Sequence, residues 1–438
     1  MRRIALVTGH FPPSNLVAGQ RARLWSQYLP EFGWEPIIVT GDPAMYEERP
    51  DPDLALLVPK NLRVIHAPTF SNKPIRLVGD IGVRAFLGTY RVLADLARSG
   101  QLDFVVITIP SNFLACVGRL IHRRFGIPFG IDYIDPWVHR WPGVEKVFSR
   151  AWGAHHLGNV LEPWAVKGIS LVTGMSLGYV QGMLDRNPDV ARTAVVAAMP
   201  MGGSAEEFEV VRGLHRPPFL FEPGDGKINL IYAGALLPRG LTVLDTFLSS
   251  LAALRSTAPR LAERICAHFV GTGTAPDDPN GHQVLPRAER LGVAQMINEH
   301  PHRIGYVDTL NHLINSDGIL VLGSTEPHYT PSKVFQGILS RRPIFGILHE
   351  ASTAVDMVRR ANAGTVLTVT ETELPAPEVV AESLRSLLED GAYDGDAVAW
   401  SSFESYTARE STRLMVEALD RAYARGKPTG QGKVARAA

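Results

Sequence analysis

The sequence predicts an α/β protein built of two doubly wound units. Short, continuous apolar runs, which are typical of strands buried on both faces, alternate with segments of helical length. This alternation stops between residues 200 and 226 and starts again at residue 228. The chain of 438 residues is also too long for one ordinary hydrophobic core, which favours two domains.

Composition excludes several classes of protein. The 44 Lys and Arg residues balance the 44 Asp and Glu residues, so no global basic field points to a nucleic acid. Cys116 and Cys266 lie far apart in apolar surroundings, which indicates neither a disulfide framework nor a metal knuckle and favours a reducing cytoplasm. The first apolar run is too short for a signal peptide, and no segment approaches a transmembrane span. Peripheral membrane contact stays open.

The chain begins with a predicted βαβ unit. Strands at residues 4–7 and 36–40 flank a helix at residues 18–32, and a polar loop containing His10 follows the first strand. This is not a dinucleotide-binding fingerprint, because the spaced glycines and the acidic residue closing the second strand are missing. Further strands of the first unit are predicted at residues 62–66, 104–109, 127–132, 170–175 and 195–199.

Two segments of this half allow two interpretations each. Residues 76–98 have the pattern of an amphipathic helix with scattered arginines, which indicates either a solvated face or contact with an acceptor or lipid headgroup. Four tryptophans, at positions 137, 141, 152 and 164, indicate either a platform for a sugar or lipid or half-buried packing.

The second half repeats the alternation. We expect residues 200–226 to be a linker, residues 304–307 to be short and extended, and residues 402–425 to form a terminal helix before a disordered tail at 426–438. Strands are predicted at residues 228–233, 267–270, 319–322, 344–347 and 365–369, and helices at residues 241–254, 287–291, 310–316, 333–339 and 377–388.

Residues 319–346 are the most informative stretch. They predict a buried strand, a polar loop, a helix that Ser332 or Thr330 can cap, and a second strand. In a parallel sheet such a loop lies at the carboxyl ends of the strands, where ligands bind. The polar side chains of this stretch therefore predict a binding site; they are Glu326, His328, Tyr329, Ser332, Lys333 and Gln336.

Taken together, the motifs resemble the GT-B glycosyltransferases, specifically the GT4-like retaining group. The resemblance covers nearly the whole chain. Its most specific parts are Tyr-Ala-Gly-Ala-Leu at 232–236, His-Phe-Val-Gly-Thr-Gly at 268–273, Ile-Gly-Tyr-Val at 304–307 and Thr-Pro-Ser-Lys-Val-Phe-Gln at 330–336. In the first half, the Pro12-Pro13 loop with Gly19, Asp-Tyr-Ile-Asp-Pro-Trp at 132–137 and Leu-Glu-Pro-Trp-Ala at 161–165 are similar to the family.

The resemblance implies two Rossmann-like domains facing across a cleft. Residues 1–205 would bind the acceptor, residues 206–399 would bind a nucleotide-diphosphate sugar, and a helix at residues 400–425 would cross back to the first domain. GT-B proteins stabilise the departing diphosphate and the oxocarbenium-like centre without a bound metal, through helix N-termini, backbone N–H groups and cationic side chains. The implied cofactor set is therefore empty, with the nucleotide sugar as co-substrate.

Donor-binding roles follow from the resemblance at matching positions. Gly234 would allow close approach of the backbone to phosphate, and Arg239 would clamp the diphosphate. Lys333 would add a second charge, or would lie in solvent. The remaining candidates around the donor are Gly271, Glu326, Tyr329, Ser332 and Gln336.

The first domain holds the candidates for acceptor activation. Asp135 is the first choice for contact with the acceptor or the reacting sugar, although it can instead cap the following turn, and His10 lies in a loop that could reach the cleft. The predicted catalytic set is Asp135, His10, Arg239 and Glu326, and the predicted acceptor or cleft set is Gly9, Gly19, Asp132 and His139.

Two departures from the family pattern concern the donor site. The family often has two glutamates eight positions apart, and the second aligns here with Gln336, an amide that can still hydrogen-bond ribose hydroxyls. Eight positions earlier stands His328, so Glu326 either replaces the first glutamate or is a loop carboxylate in water. A lysine that usually follows the position of Arg239 is also missing.

We therefore expect a cytoplasmic retaining hexosyltransferase-like enzyme, which could also work at the inner face of the membrane. Its partners would be a nucleotide-sugar donor and a glycan, lipid-linked or small-molecule acceptor, without nucleic acid. The alternatives are a nucleotide-sugar epimerase of the same fold and a non-catalytic pseudo-glycosyltransferase. The sequence does not identify the sugar, the base or the acceptor.

Overall fold

The computed structural model describes residues 1–74, 78–138, 144–236, 238–273, 281–327, 331–389 and 393–426. The chain forms two compact units. Unit one comprises Met1–Met201 and Ala408–Ala438, and unit two comprises Gly202–Thr407. The first division follows Met201, four residues earlier than the predicted boundary after residue 205. The second follows Thr407, eight residues later than the predicted boundary after residue 399. The predicted tail lies almost entirely outside the described residues.

Unit one is a seven-stranded parallel sheet with the order β3-β2-β1-β4-β5-β6-β7. The strand order reverses between β1 and β4, which makes this the topological switch point where open α/β sheets bind ligands. The strands are β1 (Arg2–Thr8), β2 (Trp34–Gly41), β3 (Arg63–Ala67), β4 (Phe104–Ile109), β5 (Phe129–Tyr133), β6 (Leu171–Gly174) and β7 (Val195–Ala198).

Helices cover the faces of this sheet, and its central strands β4 and β5 are buried along their whole length, as is typical of strands covered on both faces. The helices are α1 (Val17–Tyr28), α2 (Ile81–Arg84), α3 (Phe86–Arg98), α4 (Ala115–Phe125), α5 (Arg150–Ala165), α6 (Leu177–Arg186) and α7 (Pro188–Thr193).

Unit two is a six-stranded parallel sheet with the order β10-β9-β8-β11-β12-β13 and a switch point between β8 and β11. Its strands are β8 (Ile228–Ala233), β9 (Ile265–Val270), β10 (Ile297–His300), β11 (Gly318–Leu322), β12 (Ile344–His349) and β13 (Gly364–Val369). Its helices are α8 (Ala205–Gly213), α9 (Leu241–Thr257), α10 (Pro259–Ala262), α11 (Leu285–Arg290), α12 (Tyr306–Asn315), α13 (Lys333–Leu339), α14 (Thr353–Arg360), α15 (Pro377–Glu389) and α16 (Trp400–Phe403). The predicted α/β class, with two doubly wound parallel sheets, is confirmed.

The terminal helix α17 (Ala408–Gly426) belongs to unit one. Its Met415 and Leu419 are fully buried in a core shared with Trp25 and Trp34. Polar contacts fix its register, since the Ser411 hydroxyl donates to Pro200 O (2.7 Å) and the Trp34 indole donates to Asp420 (2.9 Å). The predicted single helix at residues 402–425 is wrong, because α16 ends at Phe403 and α17 begins only at Ala408.

The predicted linker at residues 200–226 is also wrong. It contains α8, and most of it is tied to unit two by side chains rather than by periodic apolar contacts. Tyr306 donates to buried Glu207 (2.8 Å), and His312 Nε2 accepts the backbone N–H groups of Phe219 (3.1 Å) and Leu220 (3.2 Å). Such single polar contacts leave no pattern in the sequence.

Other predicted elements differ in their bounds. The segment 304–307 is not extended, because α12 begins at Tyr306 and the neighbouring strand is β10 at Ile297–His300. The first helix stops at Tyr28 and continues as a 3-10 turn, Leu29–Phe32, before Gly33 at φ 83°. The sequence interpretation missed β10, α5 and α14.

The predicted amphipathic helix at 76–98 is shorter than expected. Asp80 caps α2 by accepting the Val83 N–H (2.9 Å), and α3 follows. Arg84, predicted on a solvated or headgroup-facing side, is instead buried and donates to Met45 O (3.1 Å) and Phe70 O (3.2 Å).

The described tryptophans of residues 137–164 are packed rather than arranged as a platform. Trp137 is buried, Trp164 is half-buried under Arg119 at 4.4 Å, and Trp152 is half-buried against His156. Trp141 lies outside the described residues. Within the described part of the chain, no helix is both long enough and apolar enough to cross a membrane.

Candidate functional site

The carboxyl edge of the second sheet collects glycines at its switch point. Gly234 follows β8 with φ 129°, and Gly271 follows β9 with φ 74°, a backbone region that favours glycine. Their N–H groups donate to Val270 O (2.8 Å) and His300 O (2.8 Å). A methyl group built on Gly271 would lie 3.9 Å from Gly234 Cα, so the two predicted donor-site glycines are neighbours.

Lys333, the first residue of α13, extends to this pair of glycines. Its Nζ lies 3.5 Å from the centroid of the Tyr232 ring, and a methyl group on Gly234 would be 3.3 Å from Nζ. The ammonium is buried and has no hydrogen-bond partner among the described residues. Burial lowers its pKa to about 7. The alternative that Lys333 lies in solvent is therefore wrong.

Arg239 and Glu326, predicted for different roles, contact each other. Their Nη1 and Oε1 atoms are 3.1 Å apart, and the side chains are 68% and 42% exposed. An ion pair as exposed as this is worth about 0–1 kcal/mol, so a ligand phosphate can displace the carboxylate at little cost. The pair lies on loops after β8 and β11, the two strands of the switch point.

Ser332 precedes α13, and Gln336 lies within it. Ser332 is exposed and makes no side-chain cap for α13, so the predicted Ser332 cap is wrong. Gln336 Nε2 lies 3.4 Å from the Tyr306 hydroxyl, which itself donates to Glu207. Tyr329, His328 and Thr330 lie outside the described residues.

Glu299, which the sequence interpretation missed, organises the loop after β9. Its carboxylate accepts from the Thr272 hydroxyl (2.6 Å) and from the backbone N–H groups of Gln283 (2.9 Å), Val284 (3.0 Å) and Leu285 (2.8 Å). Burial favours the neutral acid, but these hydrogen bonds outweigh it and lower the pKa of Glu299. β10 is short and mostly polar (Ile-Asn-Glu-His), so nothing in the sequence distinguishes Glu299.

Arg303 is a second residue that the sequence interpretation missed. It is exposed on the loop between β10 and α12. Its Cγ would be 3.8 Å from a methyl group built on Gly271, so its aliphatic stem borders the glycine pair. The edge thus carries a buried cation at Lys333 and exposed cations at Arg239 and Arg303.

The switch point of unit one carries a half-buried polar group around His10. His10 Nδ1 lies 2.7 Å from Glu48 Oε1, and the Ser14 hydroxyl donates to the same oxygen. Burial opposes the charge on Glu48, but the hydrogen bonds from His10 and Ser14 outweigh it and lower the pKa of Glu48 to about 2. With Nδ1 bound to Glu48, Nε2 is the ring nitrogen that can exchange a proton with a ligand.

Gly9 and Gly19, the predicted cleft glycines of unit one, are buried and closely packed at this loop. A methyl group on Gly19 would lie 2.7 Å from His10 O, and one on Gly9 would lie 1.9 Å from Ser111 Oγ. Both glycines are therefore required by close packing. That they line a cleft wall stays a prediction.

Asp132 is a packing residue rather than an exposed acceptor contact. Its side chain is fully buried, its two oxygens accept from Arg21 at 2.6 and 3.0 Å, and the Thr173 hydroxyl donates to it at 2.6 Å. Arg21 also donates to Met199 O (2.7 Å) and Pro200 O (3.2 Å), so the pair ties α1 and β5 to the end of β7.

Asp135 is exposed just beyond β5, and His139 lies outside the described residues. Across the described ranges, no group of three or more His, Cys, Asp or Glu side chains is placed to hold a metal ion.

No protein-family model matches the chain, and no curated protein matches it in sequence. Solved structures do match along nearly its whole length. Sucrose-phosphate synthase from Thermosynechococcus elongatus aligns over 97% of this chain and 100% of its own, at 14% identity and a TM-score of 0.59. HepE of Anabaena in complex with UDP-glucose aligns over 96% and 100%, at 12% identity and a TM-score of 0.59.

A protein from Listeria monocytogenes described as a UDP-N-acetylglucosamine 2-epimerase also aligns, over 96% of both chains, at 11% identity and a TM-score of 0.52. At these identities the likeness concerns the fold. The chain thus has the α/β fold of the GT-B glycosyltransferases, as its motifs predicted.

Proposed function

We propose that this chain is a glycosyltransferase that moves a sugar from a nucleotide-diphosphate donor to an acceptor. Unit two would bind the donor at the switch point between β8 and β11. The observation that carries the proposal is the Lys333 ammonium, which is buried beside Gly234 without a hydrogen-bond partner among the described residues.

A buried cation of this kind requires an anionic or hydrogen-bonding partner. Holding an ammonium away from water without hydrogen bonds is costly, and the face of Tyr232 offsets only part of that cost. An anion next to Gly234 would supply both charge and hydrogen-bond acceptors. A diphosphate fits, because Gly234 presents no Cβ to obstruct it.

Two more cations lie on loops at the same edge of the sheet. Arg239 would exchange its weak pairing with Glu326 for the diphosphate, and Arg303 could contact the nucleotide beside Gly271. Released from Arg239, Glu326 would be free to hydrogen-bond the donor sugar. Gln336 would contact the ribose, as the resemblance implies.

The finer features of the reaction are also proposals. We infer retention of configuration, no metal requirement and membership of the GT4-like group from the motifs. His10 would position or deprotonate the acceptor through Nε2, with Asp135 as a further contact. The acceptor would be a glycan, a lipid-linked sugar or a small molecule, and the enzyme would work in the cytoplasm or at the inner face of the membrane.

Calorimetric titration with UDP, GDP, ADP and dTDP tests the donor site. We expect one of these nucleotides to bind. Lys333→Met should weaken the affinity for that nucleotide at least about tenfold, because one charge-assisted contact is lost. Lys227→Met is the matched control, because Lys227 also belongs to unit two but precedes β8 and donates to Glu263 O (2.9 Å). Absence of binding by all four nucleotides would contradict the proposal.

The shared fold of the Listeria protein keeps an epimerase as a second candidate. An epimerase acts on the nucleotide sugar without an acceptor. Incubation with UDP-N-acetylglucosamine alone would then give an altered sugar nucleotide, whereas a transferase converts donor only when an acceptor is present.

A non-catalytic role is the third candidate. It is favoured by Gln336, because the family has a carboxylate at this position and this chain has an amide. Gln336 Nε2 lies 3.4 Å from the Tyr306 hydroxyl. A pseudo-enzyme of this kind would bind neither donor nor nucleotide in the titration.

A further inference from the structure

Unit one contains a cavity of about 540 Å³ beside α2 and α3. Its size lies within the roughly 300–1,000 Å³ typical of small-molecule sites. Most of the wall is apolar and consists of Phe70, Val78, Val83, Phe86, Leu87 and Phe113. The cavity was not anticipated from the sequence, because these side chains come from three separate segments of the chain.

Several of these apolar wall residues are exposed to solvent, which is unfavourable as long as nothing covers them. Phe70 is 63% exposed, Leu87 50% and Val78 40%. Contiguous apolar surface around a concavity is typical of a site that is covered by a ligand. Covering such surface stabilises a complex, because apolar surface is removed from water.

One polar group in the wall lacks a partner. Arg84 lines the cavity and is buried, and its Nη1 donates to Met45 O and Phe70 O. Its Nε is buried too, and within the described ranges it has no hydrogen-bond partner. An unsatisfied buried donor is costly, and Nε has almost no accessible surface, so a ligand oxygen can reach it only when the Arg84 side chain turns towards the cavity.

The cavity adjoins the His10 group at the switch point of unit one. Ile81 of α2 and Ser111 of the loop after β4 both pack against Gly9, the residue before His10. Val83 and Phe113, two residues further along the same two segments, line the cavity. The cavity and the His10 loop therefore both border the same two segments.

We propose that this cavity binds the apolar group of the acceptor. The acceptor is then an amphipathic molecule, whose hydrocarbon chain or aromatic ring lies among Phe70, Phe86 and Leu87 and whose adjoining oxygen accepts a hydrogen bond from Arg84 Nε. The hydroxyl to be glycosylated projects towards His10. This assignment of an acceptor class rests on the proposed transferase function.

Titration of the full chain with three glucosides tests the cavity. Octyl β-D-glucopyranoside, used below its critical micelle concentration, probes a hydrocarbon chain, phenyl β-D-glucopyranoside probes an aromatic ring, and methyl β-D-glucopyranoside is the control without an apolar group. We expect the octyl or the phenyl glucoside to bind at least tenfold more tightly than the methyl glucoside, and the stronger of the two identifies the apolar group. Equal affinity for all three, or no binding, would overturn the proposal.

Two substitutions in the wall test whether the glucoside binds in the cavity. Leu87→Gln and Val78→Gln change half-exposed wall residues, so the fold is preserved, and each should weaken binding of the preferred glucoside at least tenfold. Leu157→Gln is the matched control, because Leu157 is a similarly exposed leucine (44%) on α5, which does not line the cavity. Unchanged affinity in both wall variants would place the glucoside elsewhere and refute the assignment.

The nucleotide titration on the same samples separates this proposal from the proposed function. Nucleotide binding with no preference for an apolar glucoside would refute only the cavity assignment. Binding of an apolar glucoside that the wall variants abolish, without any nucleotide binding, would support the cavity as a binding site and contradict the transferase.

Discussion

At Lys333, burial and charge oppose each other. The chain holds an ammonium above the Tyr232 ring, out of contact with water, where burial lowers its pKa to about 7. An unfolded lysine titrates near 10.4, so the folded protein carries this charge at a cost in stability. Such a cost is typical of binding sites, where a ligand supplies the missing partner.

The charge state of Lys333 predicts how nucleotide affinity depends on pH. Below pH 7 the ammonium is protonated and attracts a diphosphate, and above pH 7 the free protein loses that charge. Affinity for the preferred nucleotide should therefore fall by up to about tenfold per pH unit between pH 7 and 9. Titration calorimetry across this range measures it.

Lys333→Arg provides the control for this pH dependence. Arginine stays charged throughout the range, so the variant should bind with a flat pH profile. An equally steep profile in the variant would assign the pH dependence to another group.

Arg239 offers a second test at the scale of single residues. Arg239→Ala should lower the rate of transfer about 10²-fold, because a cation that stabilises the departing diphosphate is lost. The melting temperature should hardly change, since the side chain is 68% exposed and its pair with Glu326 is weak. Steady-state assays with the donor found by titration measure the rate.

Arg385→Ala is the matched control for Arg239. Arg385 is also an exposed arginine of unit two, paired with Glu382 and Glu389 on α15. Near-normal turnover by Arg239→Ala, or an equal loss in Arg385→Ala, would contradict a role for Arg239 in the reaction.

At the scale of elements, the loop after β9 depends on one carboxylate. Glu299 on β10 accepts from Thr272 on one side and from the backbone of Gln283, Val284 and Leu285 on the other. It thereby holds both ends of the segment between Gly271 and α11. The position of Gly271 in the candidate donor site rests on this clamp.

Glu299→Ala should destabilise unit two by about 2–4 kcal/mol, because three backbone donors lose their acceptor. Hydrogen exchange at residues 283–285 should accelerate, and the melting temperature should fall. Glu289→Ala, which removes an exposed glutamate from α11, should change neither.

The contribution of Glu299 to the stability of unit two should depend on pH in a definite direction. The folded-state pKa of Glu299 lies below its ordinary value of 4.5, so its contribution is present above that pH and is lost as the pH falls through the folded-state pKa. The difference in stability between the wild type and Glu299→Ala should therefore narrow in acid. A difference that widened in acid would exclude the ionised carboxylate as its cause.

At the scale of the whole molecule, each unit has its own sheet and its own core, and the last helix completes the core of the first unit. Leu419 of α17 is fully buried with Trp25 and Trp34. The chain must therefore pass through all of unit two before unit one is complete.

Leu419→Ala should destabilise unit one by about 2–5 kcal/mol, the cost of a cavity in a packed core. Nucleotide binding, which we assign to unit two, should keep its wild-type affinity at a temperature where the variant is folded. Leu157→Ala, at an exposed position of α5, should affect neither property. Lost nucleotide affinity in Leu419→Ala would contradict the assignment of the donor site to unit two alone.

The sequence by itself determined the fold class and the edge of the second sheet that carries the candidate site. Continuous apolar runs specify buried parallel strands because both faces must be covered, and parallel strands bring their following loops to one edge. Lys333 was predicted in this way, whereas Gly234 and Gly271 were predicted from the resemblance to the GT-B family. The structure places both Lys333 and Gly271 next to Gly234.

Only the tertiary structure decided what each polar side chain contacts. Asp132 was predicted to face an acceptor but is neutralised by Arg21, which lies 111 positions away in the chain. Glu299, Arg303 and the cavity beside α2 have no sequence signature, because their partners come from distant loops. Burial and pairing depend on which segments meet in three dimensions, and a periodic pattern along one segment carries no information about that.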